Sequence, residues 1–160
     1  MNKDLNQFKI DEALLSFKKA NYKNAINILE KLNEKNSNYI ICWYLGHAYF
    51  RIYDYITATV YIRKCIKLKE PDELNLNFLA EILFQSNKYE EAIKTFKNVL
   101  NINPKNINSL LNLGKIYSHL GRFKDSENYY IKVLQIETNN FSALYELIKI
   151  NKKKLTKAVI

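Results

Sequence analysis

The stretch LNLGKIYSHLGRF, Leu111–Phe123, carries helical periodicity as far as LGRF, where a short break leads into a second amphipathic run. The stretch SNKYEEAIKTFKNVLNINP, Ser86–Pro104, reads the same way from its break onward. When Leu113-Gly114 is placed beneath Leu79-Ala80 and Leu45-Gly46, three segments fall into register with a spacing of 34 residues: 39–72, 73–106 and 107–140. A fixed period of this length marks an array of stacked units, so the repeat takes precedence over any local reading. Each segment splits into two helices joined by a tight turn.

The matched positions have physical roles. Small residues recur in the first helix (Gly46, Ala80, Gly114) and in the second (Ala58, Ala92, Ser126). They let two helices approach closely where a larger side chain would overpack the contact. An aromatic opens each second helix: Tyr55, Tyr89, Phe123. Large residues fill the space on either side, among them Leu45, Leu79 and Leu113, with Ile62, Phe96 and Tyr130 from the facing helix. Pro71 and Pro104 follow second helices, where a chain break suits a residue that cannot continue a helix.

These segments resemble the tetratricopeptide repeat family, over Tyr39 to Asn140 most closely. The resemblance implies an all-α fold, a right-handed α-α superhelix or solenoid. It would hold about four helical-hairpin repeats (6–38, 39–72, 73–106, 107–140) and a C-terminal capping helix over about 141–155, as one array spanning 1–160. The ends match less well. ANYKNAINILEKL fits a second helix, but the helix before it has Glu12 and Ser16 where large apolar residues are expected. At the other end Leu144, Leu147 and Ile148 are expected to pack on the last repeat, with Lys149, Lys152, Lys153 and Lys154 facing water, as a terminal helix requires. The alternative is a fragment cut midway through a fifth repeat.

Within such an array the first helix of each pair packs on one face and lines a concave surface with another. The stretch YIICWYLGHAYF, Tyr39–Phe50, is apolar all round. Cys42, Leu45, Gly46 and Tyr49 take the packing face, which leaves Trp43, Tyr44, His47 and Phe50 for the groove. The equivalent faces offer Leu74, Asn77, Phe78, Glu81 and Phe84, then Asn108, Leu111, Asn112, Lys115 and His119, then Tyr145, Glu146 and Lys149. The predicted groove thus grades from aromatic to polar and basic. An exposed apolar patch of this kind usually marks an interaction site, and Trp and Tyr are frequent binding anchors. The competing reading is internal packing, with Leu14, Phe17 or the N-terminal LNQF covering the aromatics.

The family's best-known groove grips a chaperone's C-terminal carboxylate with Lys, Asn and Arg. The corresponding positions read Ile10, Leu14, Tyr44, Leu74 and Phe78, or, one repeat on, Trp43, His47, Phe78, Asn108 and Asn112. Neither set supplies the basic pair, so no carboxylate clamp is expected. Asn112 matches a groove asparagine that holds peptide backbones in long arrays, although a solvated Asn is the plainer reading in an Asn-rich chain.

The net charge of +9 either favours acidic partners, nucleic acid or an anionic membrane surface, or simply keeps the surface soluble. Sequence-specific nucleic-acid binding needs repeated polar reading pairs, and those positions vary from Trp43 to Asn77 to Leu111. The longest acid-free, mostly apolar stretch has about 12 residues, where a membrane span needs ~20. Two cysteines outside any CxxC pair give neither a disulfide framework nor a zinc set. His47 and His119 lack ligand partners at metal spacing. Phosphate loops, nucleophile elbows and kinase signatures are absent.

The reading is therefore a cytoplasmic, non-catalytic adaptor without cofactor or metal. It would bind a protein or peptide, with Lys115 or Lys149 meeting acidic residues of the partner. The alternatives are the interaction arm of a larger enzyme such as a transferase, and a homo-oligomer built by stacking exposed array ends.

Overall fold

The computed structural model describes residues 2–158, with side chains described for residues 7–152. The described residues form nine α-helices and no strand: α1 (Asn2–Lys18), α2 (Tyr22–Lys35), α3 (Tyr39–Arg51), α4 (Tyr55–Leu68), α5 (Glu73–Gln85), α6 (Tyr89–Ile102), α7 (Ile107–His119), α8 (Phe123–Ile136) and α9 (Phe141–Ala158). The chain is all-α, as the periodicity predicts. It falls into two compact units, residues 1–87 and 88–160. The first holds α1–α5 and the second α6–α9.

Local chemistry sets the helix ends. Asn21, Asn38, Asp54, Asp72 and Asn106 each accept a hydrogen bond from a first-turn backbone N–H, closing the starts of α2, α3, α4, α5 and α7. Such caps contribute about 1 kcal/mol each. Lys88 and Arg122, before α6 and α8, make no side-chain cap. The first helix of each pair ends on a residue in the left-handed region: Ala20, Tyr53, Asn87 and Gly121. At Tyr53 the N–H donates to the Phe50 carbonyl at 3.0 Å, and the Asp54 N–H to that of Tyr49 at 3.0 Å. That pair of bonds is a Schellman turn, which satisfies carbonyls the helix would leave open.

In the first unit each helix packs on the next in sequence. Ala13, Leu29, Leu32, Ile41 and Leu45 make a core, with Ile10, Ile26, Tyr44, Tyr49 and Tyr61 packed around it. Gly46 sits against α4 so closely that a Cβ there would lie 2.4 Å from the Ile62 Cδ1. The Tyr49 and Tyr61 rings stack at 5.7 Å. Both hydroxyls donate to the Glu30 carboxylate, which ties α2, α3 and α4 together. Ser16, at a position where a large residue was expected, instead accepts a hydrogen bond of 2.8 Å from the Asn24 side-chain amide. A polar contact there replaces apolar packing between α1 and α2. Cys42 and Cys65 are buried and free.

In the second unit α6–α7, α7–α8 and α8–α9 pack in turn, and α9 also reaches α7. Leu110, Tyr130, Val133, Ala143 and Ile150 form the core. A Cβ on Gly114 would stand 2.6 Å from the Tyr130 ring. The Ser126 hydroxyl donates to the Gly114 carbonyl at 2.7 Å, so α7 and α8 touch backbone to side chain.

The register of α9 departs from the expectation. Its packing face is Ala143, Leu147 and Ile150. Leu144 and Ile148 are exposed, Ile148 by 68%. Ala143 explains the rotation, because its short side chain lets α9 close on the core where Leu144 would hold it away. Lys149 and Lys152 are exposed as expected; Lys153 and Lys154 lie outside the residues whose side chains are described.

Candidate functional site: an aromatic face on the first unit

The facing sides of α3 and α5 carry the most distinctive chemistry of the first unit. Tyr39, Trp43, His47 and Phe50 recur every three to four residues along α3 and so share one face. α5 lies alongside. The Tyr39 hydroxyl donates to the Asn75 side-chain oxygen at 3.3 Å near the starts of both helices. Farther along, Phe78 meets three α3 rings: Trp43 at 5.6 Å, His47 at 3.7 Å with the rings nearly parallel, and Phe50 at 5.3 Å edge-on. Trp43 also stacks with Tyr39 at 6.4 Å and leans on His47 at 4.3 Å. The Lys69 ammonium sits 4.9 Å over the Tyr39 ring.

The predicted residues divide by place. Trp43, His47 and Phe50 are half-buried and come together as expected. Phe78 belongs to the same cluster but is only 8% exposed, so it forms the floor and is not an accessible anchor. It is buried because three α3 rings close over it. Tyr44 turns the other way and meets Phe17 at 5.7 Å, so its ring is covered by the first hairpin. Asn77, Glu81 and Phe84 are half-buried on α5. In the second unit Leu111 packs against the core, Asn112 is half-buried and Lys115 is exposed. Tyr145 is 64% exposed. Lys149 stands 5.9 Å over the Tyr145 ring and 3.6 Å from the Glu146 carboxylate.

Two exposed apolar residues stand on the same helices. Leu74, foreseen on α5, is 61% exposed, and Ile40, not foreseen on α3, is 51% exposed. Ile40 lies 34 residues before Leu74, so the repeat register contained that signal.

Burial and then the nearby Arg51 guanidinium push the His47 imidazole down to about 4. It is therefore neutral near pH 7, and its Nε2 is buried with no hydrogen-bond partner among the described residues. A neutral ring pressed flat on Phe78 acts as an aromatic spacer. No group of three or more metal-ligating side chains occurs among the described residues. No described helix is long and apolar enough to cross a membrane.

Comparisons with known proteins agree with this architecture. Residues 80–121 match a family model described as TPR repeat, and residues 107–137 one described as tetratricopeptide repeat. Residues 18–97 match a model described as anaphase-promoting complex, cyclosome, subunit 3. The chain is 28% identical over 99 residues to the peroxisomal targeting signal receptor of Saccharomyces cerevisiae, covering 60% of this chain and 16% of that protein. It is 30% identical over 112 residues to TPR repeat-containing protein MJ1428 of Methanocaldococcus jannaschii, covering 67% of this chain and 20% of that one. The chain thus spans a fifth or less of these two relatives. Among solved structures, YrrB, described as a TPR protein with an unusual peptide-binding site, superposes with a TM-score of 0.78 at 20% identity, over 84% of this chain and 70% of that one. A MamA structure from Desulfovibrio magneticus RS-1 gives 0.84 at 15% identity, over 93% and 85%. The 34-residue register, the paired helices and these matches together place the chain in the tetratricopeptide repeat family, an all-α helical solenoid fold.

Proposed function

We propose that this chain is a non-catalytic protein-interaction module that receives a peptide or partner domain on the aromatic face of α3 and α5. One observation carries the reading. Ile40 and Leu74, at equivalent positions on neighbouring first helices, keep apolar side chains 51% and 61% exposed, on the same two helices that carry the half-buried Trp43 and the buried Phe78. Exposed apolar side chains on helices that also carry an indole cluster are the surface a binding anchor needs. The peptide-binding site for which YrrB is described gives support by likeness of fold. The net charge of +9 favours acidic partners, and a cytoplasmic location belongs to the same reading.

A partner captured from native lysate and identified would be titrated against the wild-type chain, Trp43→Ala and Leu74→Ser. Loss of about 2 kcal/mol of binding is expected for the tryptophan change, as for a hot-spot residue. Unchanged affinity in both variants, with helicity retained, would remove this face from the function. Phe78→Ala is a poor probe, because it empties the floor of the cluster.

A second reading makes the array an interaction arm of a larger protein, such as a transferase. The large unmatched share of the curated relatives supports it. A third, self-association, draws on the exposed Phe141, Tyr145 and Ile148 of α9.

A further inference from the structure

A separate concavity of about 390 Å3 opens at the turn end of the first unit, lined by Tyr22, Phe50, Arg51, Tyr53, Tyr55 and Gln85. Four of the six lining residues are aromatic. The Tyr55 ring stands between Phe50, at 5.6 Å, and Tyr53, at 6.3 Å and perpendicular to it. The volume lies at the small end for a ligand site, which suits a side chain or two and not a long segment.

Charge narrows the occupant. Arg51 is the only cationic residue in the lining, and no Asp or Glu lines the concavity. The ion pairs among the described residues do not involve Arg51, which is an exposed residue. One guanidinium fork matches one carboxylate, whose two oxygens it can hold in parallel. A dianionic phosphate would leave charge unmatched by this single cation.

Tyr53 supplies an independent observation. It sits in the left-handed region with φ of 65°, where the other hairpins place Ala20, Asn87 and Gly121. A bulky residue there is uncommon and costs backbone strain. Its ring gains little burial in return, being 78% exposed at the rim. A strained, exposed tyrosine lining a concavity is the kind of local outlier that accompanies a binding role.

We propose that this concavity binds an acidic side chain of a peptide together with an adjacent aliphatic residue, Arg51 holding the carboxylate and Tyr53 with Tyr55 flanking the aliphatic group. The site lies at the hairpin turns and is distinct from the face proposed above, although Phe50 borders both.

The test uses fluorescein-labelled, C-terminally amidated heptapeptides with a central Glu-Leu, Gln-Leu or Glu-Ser pair among Gly and Ser, titrated by fluorescence anisotropy. Glu-Leu is expected to bind at least tenfold more tightly than either control. Arg51→Gln should abolish the Glu-over-Gln preference. Tyr53→Asn, which copies the residue at Asn87, should abolish the Leu-over-Ser preference. Both variants should keep the wild-type circular dichroism spectrum and melting midpoint or, for Tyr53→Asn, a higher midpoint. Trp43→Ala and Leu74→Ser should leave probe binding unchanged, which keeps failure of this site separate from failure of the aromatic face. The proposal is overturned if the three peptides bind equally or not at all, or if Arg51→Gln retains the preference. It is equally overturned if a Gly-Ser peptide with a free C-terminal carboxylate binds as tightly as Glu-Leu.

Discussion

At matched positions the first unit carries Trp43, Tyr44 and His47, and the second carries Leu111, Asn112 and Lys115. Behind those positions the two units are alike: Gly46 against Ile62 in one, Gly114 against Tyr130 in the other. The small–large contact holds each hairpin shut, while the face beside it is free to change chemistry. The two faces differ because that contact does not constrain them. The aromatic residues of the first unit interlock over Phe78, whereas Lys115 stands exposed.

The largest expected effect breaks the shared part. Tyr130 is fully buried, and Tyr130→Ala should destabilise the second unit by about 3–5 kcal/mol, as large aromatic truncations do. Urea denaturation followed by circular dichroism measures it; a loss below about 1 kcal/mol would mean the contact does not hold the hairpin. Next comes the glycine pair. Gly114→Ala drives a methyl group into a ring, and overpacking of that kind costs about 1–3 kcal/mol. Gly46→Ala meets both the Cδ1 and the Cγ1 of the buried Ile62, at 2.4 and 2.6 Å; Cγ1 is not a free chain end, so the cost should be of the same size. The helix propensity of Ala offsets part of both, by about 1 kcal/mol. A large melting shift in one variant and none in the other would contradict this parity.

His47 sharpens the comparison through pH. Its folded pKa of about 4 lies below the ordinary 6.5, so the unfolded chain binds the proton more readily. The His47 contribution to stability is therefore full above pH 6.5, falls as pH drops toward 4, and is lost below it. The urea midpoint of the first unit should decline across that window, and His47→Phe should flatten the slope. A wild-type slope preserved in the variant would assign the dependence to other groups. The smallest effects concern caps. Asp54 caps α4, whereas Lys88, with similar backbone angles, leaves α6 uncapped. Lys88→Asp should add about 0.5–1 kcal/mol, and Asp54→Ala should remove a comparable amount. Thermal melts of the two variants should move in opposite directions.

The fold was legible because its determinants repeat. Gly46, Ala80 and Gly114 carry the period, and all are buried. The site was legible in part. Trp43, His47 and Phe50 fall on one helical face by spacing alone. The burial of Phe78 and the turn of Tyr44 toward Phe17 depend on which rings meet across helices, and spacing within one helix does not encode that. The α9 register was not legible from apolar character alone: Leu144 and Ile148 are larger than Ala143 but exposed, because the close approach favours the small residue. Ile40 and Tyr53 were both visible in the register, one as the mate of Leu74 and the other as the aromatic standing where Asn87 and Gly121 stand.

Both cysteines of the chain belong to the first unit, and the second has none. Burial, reinforced by Cys42 and Asp72, pushes the Cys65 thiol up to about 12, so little thiolate is available to an alkylating reagent while the helices stay closed. Labelling kinetics would therefore time the opening of α3 and α4 without interference from the other half of the molecule. The protein carries an intrinsic stopwatch for one of its two parts.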